Sequence, residues 1–194
     1  MRLFFAVSLS PSVMAEVVAT QAGLRAVAGE RGIRWSTPGQ FHVTLKFLGE
    51  TADEDLPHAS AAAKETAARI APFTLTLGNV GAFPHAKRPQ VLWIGAAGGV
   101  PELARLVEYL DKSLSVHGFA AEAKRFKPHV TLARIKNPEG ETAAGVGLDI
   151  YLDSAEKADK QGVFRVESFV LMRSDPHPSG SLYTVLETYP LSTN

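Results

Sequence analysis

The sequence predicts an α+β fold built as a bilobal, duplicated unit, with two mostly antiparallel sheets facing a central cleft and helices on the outside. Three observations predict it. The tetrapeptide His-Val-Thr-Leu occurs at residues 42–45 and again at 129–132, an offset of 87. Each copy lies in a run that alternates apolar and polar residues, such as Phe41, Val43, Leu45 and Phe47 against His42, Thr44 and Lys46. That is the period of a strand with one face buried. The elements around the two copies also recur in order, with offsets of 88 from Leu3 to Val91 and 91 from Phe73 to Phe164. Two copies at so long a period describe a doubled half rather than a solenoid. The chain is therefore expected to form one two-lobed domain over 1–194, with repeats at roughly 3–82 and 91–172 and a closing strand at 182–191.

Taken in order, Leu3 to Ser8 reads as a buried strand. Ser10 is a candidate N-cap with Pro11 at the first helical position, and Met14, Val17, Val18, Leu24 and Val27 supply a stripe for a helix running to Gly29. A basic connection with Arg31 and Arg34 leads into the first motif strand, which stops at Gly49. The Ala-rich stretch from Asp53 to Ile70 reads as a helix ended by Pro72, and Phe73 to Val80 alternates as a strand. After a turn region at Gly81 to Pro89 comes a strand at Val91 to Ile94. Pro101 then opens a helix whose Leu103, Leu106, Val107, Leu110 and Leu114 form an apolar stripe. A basic segment containing Lys124, Arg125 and Lys127 reaches the second motif strand, which Asn137 to Gly140 breaks. A helix is expected over roughly Leu148 to Lys160, with Gly145 and Gly147 weakening its start. Strands at Val163 to Met172 and Leu182 to Leu191, joined by a turn at Asp175 to Gly180, close the chain.

Composition narrows the function. The chain has 194 residues, enough to bury a sizeable core, with 20 basic and 20 acidic residues. A protein gripping a long nucleic-acid tract usually carries an excess of Lys and Arg, so any nucleic-acid contact is expected to be short or terminal. There are no cysteines, which excludes disulfides and thiolate chemistry and suits the cytoplasm. The N-terminal MRLFFAVSLS reads as a first strand rather than a signal peptide, and no run approaches a membrane span.

Two histidines on facing strands can divide acid and base roles, because like charges in one site make them titrate apart. Thr44 and Thr131 supply hydroxyl donors suited to the non-bridging oxygens of a phosphate. Arg134, five residues after His129, can clamp a phosphate bidentately, and the surrounding Lys124, Arg125, Lys127 and Lys136 concentrate positive charge locally. No third His or carboxylate accompanies the pair, so no metal site and no cofactor are expected. Trp93 and Phe126 fit a core as well as a stacking platform. His85 and His177 fall in equivalent turns that read as solvated loops, and His58 and His117 receive no role.

The blocks WSTPGQFHVTLKFLGE, RPQVLWIGAA, RFKPHVTLARI and SFVLMRSDPHPSGSLYTVLETYPL resemble, in order and over nearly the whole chain, the signature blocks of the two-histidine phosphoesterase superfamily. The branch they resemble most is the RNA 2′,3′-cyclic phosphodiesterase, also called 2′-5′ RNA ligase. The resemblance implies hydrolysis of a terminal 2′,3′-cyclic phosphate to a 2′-phosphate, with His42 as proton donor to the departing 3′-oxygen and His129 as proton acceptor from water. Thr44, Thr131 and Arg134 would bind the phosphate, and the step run in reverse would join RNA through a 2′-5′ linkage. The expected partner is an RNA end, or alternatively a small nucleotide cyclic phosphate, handled by a cytoplasmic monomer. A non-catalytic RNA-end binding module is the competing reading of another class.

Overall fold

Strand alternation and helix stripes resolve into one curled antiparallel sheet, with four helices over one face and an open cavity on the other. The structure is a computed structural model that describes residues 1–123, 125–154, 162–178 and 180–192. The elements run β1 (Arg2–Ser8), α1 (Pro11–Ala28), β2 (Ile33–Trp35), β3 (His42–Glu50), α2 (Leu56–Ala67), β4 (Phe73–Phe83) and β5 (Val91–Gly98). They continue with α3 (Val100–Val116), β6 (His129–Ile135), α4 (Pro138–Asp153), β7 (Gly162–Val166), β8 (Ser168–Asp175) and β9 (Leu182–Pro190). Among the described residues, no helix is long and apolar enough to cross a membrane.

The sheet order is β7-β4-β5-β6-β3-β1-β8-β9, with β2 added to β6. Its two four-stranded halves, β7-β4-β5-β6 and β3-β1-β8-β9, meet at β3 and β6 through one register pair, Val43 opposite Val130. The two expected sheets are thus continuous, hinged at the centre of the paired motifs. The third strand of each half comes from across the chain: β4 leaves the first motif to pair with β5, and β8 returns to pair with β1. The counterpart of β4 is therefore β8. The expected match of Phe73 to Phe164 aligned β4 with β7, which lies beside it instead, Leu75 opposite Phe164. Register also moves the first-strand offset from 88 to 87: Phe4 faces Phe47 as Val91 faces Arg134.

Helix α1 forms as its sequence dictates. Ser10 Oγ accepts from Val13 N at 3.4 Å, and the chain turns out at Gly29 with φ 72°, a conformation that favours glycine. Its buried face, Val13, Val17, Gln21, Leu24 and Ala28, repeats every three to four residues. Helix α4 departs from expectation by starting ten residues early. Asn137 is not merely a strand breaker but its N-cap, accepting from Gly140 N at 2.9 Å. The glycines do not weaken this helix so much as let it approach: a Cβ on Gly147 would lie 2.5 Å from Ala28 Cβ, and one on Gly140 would meet the Gly32 carbonyl. The expected end near Lys160, like Lys124 in the basic segment, lies outside the described residues. The strand expected from Val163 to Met172 is two, β7 and β8, parted at Glu167.

Candidate active site

Both motif strands carry the same irregularity, and it aims the site. Along β3 the pairing with β1 runs Ala6–Thr44 and then Phe5–Lys46, leaving Leu45 as an extra residue. Along β6 the pairing with β5 runs Trp93–Thr131 and then Leu92–Ala133, leaving Leu132. One extra residue is a β-bulge, which reverses the alternation beyond it. Before the bulge, His42, Thr44, His129 and Thr131 face the cavity while Val43, Leu45, Val130 and Leu132 are buried in the core. After it, Lys46 and Ala133 turn into the core, and Phe47 and Arg134 turn to the cavity. Unbroken alternation would have set Arg134 on the same face as Leu132. Two bonds hold the second bulge: buried Gln21 of α1 donates from Nε2 to the carbonyls of both Leu132 and Ser36, each at 2.8 Å. Lys46 is accommodated by Asp111 Oδ1 at 2.6 Å and the Ala120 carbonyl at 2.9 Å.

The resulting cavity is about 420 Å³ and is lined by all five predicted residues, His42, Thr44, His129, Thr131 and Arg134. It also takes in Arg34, Gln40, Phe47 and Tyr183, to which the sequence assigned no role. Extending the Val43–Val130 register by one residue each way sets His42 across from Thr131 and Thr44 across from His129. His42 and His129 are then diagonal neighbours on the ladder, with backbone positions roughly 7–8 Å apart in a regular pairing, and the charge of His129 acts on the His42 ring.

Each ring is oriented from behind by the backbone two residues upstream. His129 Nδ1 donates to the Lys127 carbonyl at 2.7 Å, and the Gln40 backbone bonds the His42 ring. This leaves Nε2 of each ring for the cavity, and His42 Nε2 sits 3.1 Å from Thr44 Oγ1. Aromatic rings brace both: Tyr183 stands perpendicular to His42 at 5.1 Å and Phe4 packs at 4.9 Å, while Phe83 stands perpendicular to His129 at 4.9 Å. Trp93 packs on Phe83, and Phe126 packs on the core. His85 and His177 are exposed. His58 and His117 lie 6.3 Å apart beside a separate pocket.

The electrostatics of the two rings differ. Burial pushes His42 down to about 4; the Gln40 bond opposes this, and the charges of His129 and Arg134 add to it. His129 is also lowered, by burial first, against the Lys127 bond that raises it and with Arg134 lowering it further. Burial thus favours the neutral form of both rings. An anion between them would favour the imidazolium form and raise both.

Residues 7–93 and 94–183 match, one after the other, a family model described as LigT like Phosphoesterase. An RNA 2′,3′-cyclic phosphodiesterase of Thermus thermophilus is 35% identical over 201 residues, covering 98% of this chain and 90% of that protein. One from Archaeoglobus fulgidus is 32% identical over 191 residues, covering 97% and 99%. Among solved structures, a Thermus thermophilus protein superposes with a TM-score of 0.78 at 34% identity over 98% of each chain. Escherichia coli LigT complexed with 3′-AMP superposes at 0.77 with 24% identity, covering 99% and 98%, a likeness of fold.

Proposed function

The chain belongs to the LigT-like phosphoesterase family, and from that premise we propose that it opens the 2′,3′-cyclic phosphate at an RNA 3′ end to leave a 2′-phosphomonoester. Water attacks phosphorus in line with the P–O3′ bond. His129 Nε2 takes the water proton, the P–O3′ bond breaks, and His42 Nε2 gives its proton to the departing 3′-oxygen. Thr44 and Thr131 hold the non-bridging oxygens, and Arg134 balances the charge that builds on them. No metal enters these steps. Run in reverse with a ribose hydroxyl in place of water, the same site would form a 2′-5′ linkage.

The observation that carries this reading is the placement of both histidines, both threonines and Arg134 around one cavity. The asymmetry of the pair supports the assignment. A backbone bond raises the basicity of each ring, from Gln40 on His42 and from Lys127 on His129, so the asymmetry is the deeper burial of His42, which leaves His129 the better base. The deeply buried imidazolium of His42 is the stronger acid, which suits the donor once an anionic substrate has let it take up a proton. The same reading includes the duplication of residues 3–82 in 91–172, supported by the shared bulge and the common offset of 87 from Phe4 to Val91 and from His42 to His129. The test is product identification: an RNA oligomer ending in a 2′,3′-cyclic phosphate, incubated in chelator, is expected to yield the 2′-phosphate. A 3′-phosphate, or no turnover, would overturn the proposal.

A further inference from the structure

We propose that Arg34 binds a second phosphate, so that this site selects an RNA end with a phosphodiester on its 5′ side over an isolated nucleoside cyclic phosphate. The inference deepens the function proposed above and rests on it. Strand β2 pairs with β6 as Ile33–Ile135, Arg34–Arg134 and Trp35–Ala133, and both arginines line the cavity. Two guanidinium groups therefore stand directly across a ladder, an arrangement that repels. The other arginine that lines the cavity, Arg2, is met by a carboxylate: it bonds Glu50 at 2.7 Å. Among the described residues, neither Arg34 nor Arg134 has a carboxylate within ion-pair distance.

Their backbone is fixed nonetheless. Lys136 N donates to the Gly32 carbonyl at 2.8 Å, Ser36 N to the Leu132 carbonyl at 2.9 Å, and Trp35 Nε1 to the Gly29 carbonyl at 3.0 Å. The fold thus holds two unneutralised cations at a fixed register beside the imidazoles. The cyclic phosphate brings one negative charge. Arg134 lies on β6, the strand that carries His129, and its charge acts on both rings, whereas Arg34 lies one strand further out on β2, which pairs with β6 beyond the motif at residues 133–135. Arg134 is accordingly matched to the reacting phosphate, and Arg34 to a second anion further along. In an RNA end that anion is the phosphodiester on the 5′ side of the terminal nucleoside.

The test compares wild type with Arg34→Gln on two substrates, a nucleoside 2′,3′-cyclic phosphate and a dinucleotide with the same cyclic end. A charge-assisted contact to phosphate predicts that the variant loses kcat/KM about tenfold more on the dinucleotide than on the mononucleotide. The slope of log(kcat/KM) against log[salt] for the dinucleotide should flatten by about one. Equal losses on both substrates, or no loss on either, would overturn the proposal. Calorimetric binding of the 2′-phosphate-ended dinucleotide and mononucleotide carries the same contrast without turnover. A wild type that hydrolyses neither substrate would therefore sink the proposed function, while the binding contrast still decides Arg34.

Discussion

Phe47 and Arg134 occupy the same place in the two halves of the molecule: each lies five residues after its motif histidine, just past a bulge, on the cavity face. Two nearly identical strands thus deliver different chemistry to opposite sides of one cavity, a cation on one and an apolar ring on the other. Phe47 is 63% exposed and lines the cavity, so its ring is open to a flat ligand there.

Phe47→Ala is expected to raise KM for RNA ends about tenfold, since stacking of one base on an aromatic ring is worth roughly 1–3 kcal/mol. Phe47→Trp should retain affinity. Steady-state kinetics on one oligomer decides it, and an unchanged KM in the alanine variant would show that no base rests there.

The buried amide of Gln21 holds the bulge that aims Arg134. Gln21→Leu leaves the Ser36 carbonyl without its donor and takes one of two donors from the Leu132 carbonyl, which keeps Ser36 N; this should cost about 1–3 kcal/mol in a urea titration. kcat/KM should fall with it, because Arg134 loses its fixed register. A folded variant of wild-type stability would contradict this account of the bulge.

Acid should destabilise the protein through His42. Its folded value, about 4, lies below the ordinary 6.5, so between these limits the unfolded chain binds the proton and the folded chain does not. The stability is complete above pH 6.5 and is lost as pH falls towards 4, about 2 kcal/mol of it by pH 5. His42→Gln should flatten that part of the profile relative to wild type. Parallel stability curves for the two proteins between pH 7 and 5 would show that the ring is not held neutral.

Binding of an anion should reverse the effect. A 2′-phosphate brought between the rings raises both histidines, so complex formation near pH 6 should take up protons. Titration calorimetry in buffers of different ionisation enthalpy reads that uptake directly. Net release would place the phosphate away from the imidazoles.

Much of this was legible in the chain. Period-two alternation marked the motif strands and the 3.6-residue stripe marked α3, because both patterns persist over many residues. The repeated motif named His42, Thr44, His129 and Thr131, and the basic flank of its second copy named Arg134, all five of which line the cavity. The bulges were not legible: an extra residue at Leu45 or Leu132 leaves no mark in composition. Strand β2, at three residues, is too short for a period, so Arg34 read only as part of a basic connection. Helix α4 was placed late because Asn137 to Gly140 read as a strand break and Gly145 and Gly147 as a weak helix start, whereas the missing side chains of Gly140 and Gly147 admit Gly32 and Ala28. Phe47 could have been found by laying the two motifs together, where it falls opposite Arg134.

The most direct test of the His42–His129 pair is the leaving group. A cyclic substrate with sulfur in place of the bridging 3′-oxygen needs no proton to depart. On the ordinary substrate, His42→Ala and His129→Ala should each lose roughly a hundred- to ten-thousandfold in rate. On the 3′-thio substrate, His42→Ala should recover most of its loss and His129→Ala should recover none. Recovery in both variants, in neither, or only in His129→Ala would contradict the division of acid and base between the two strands.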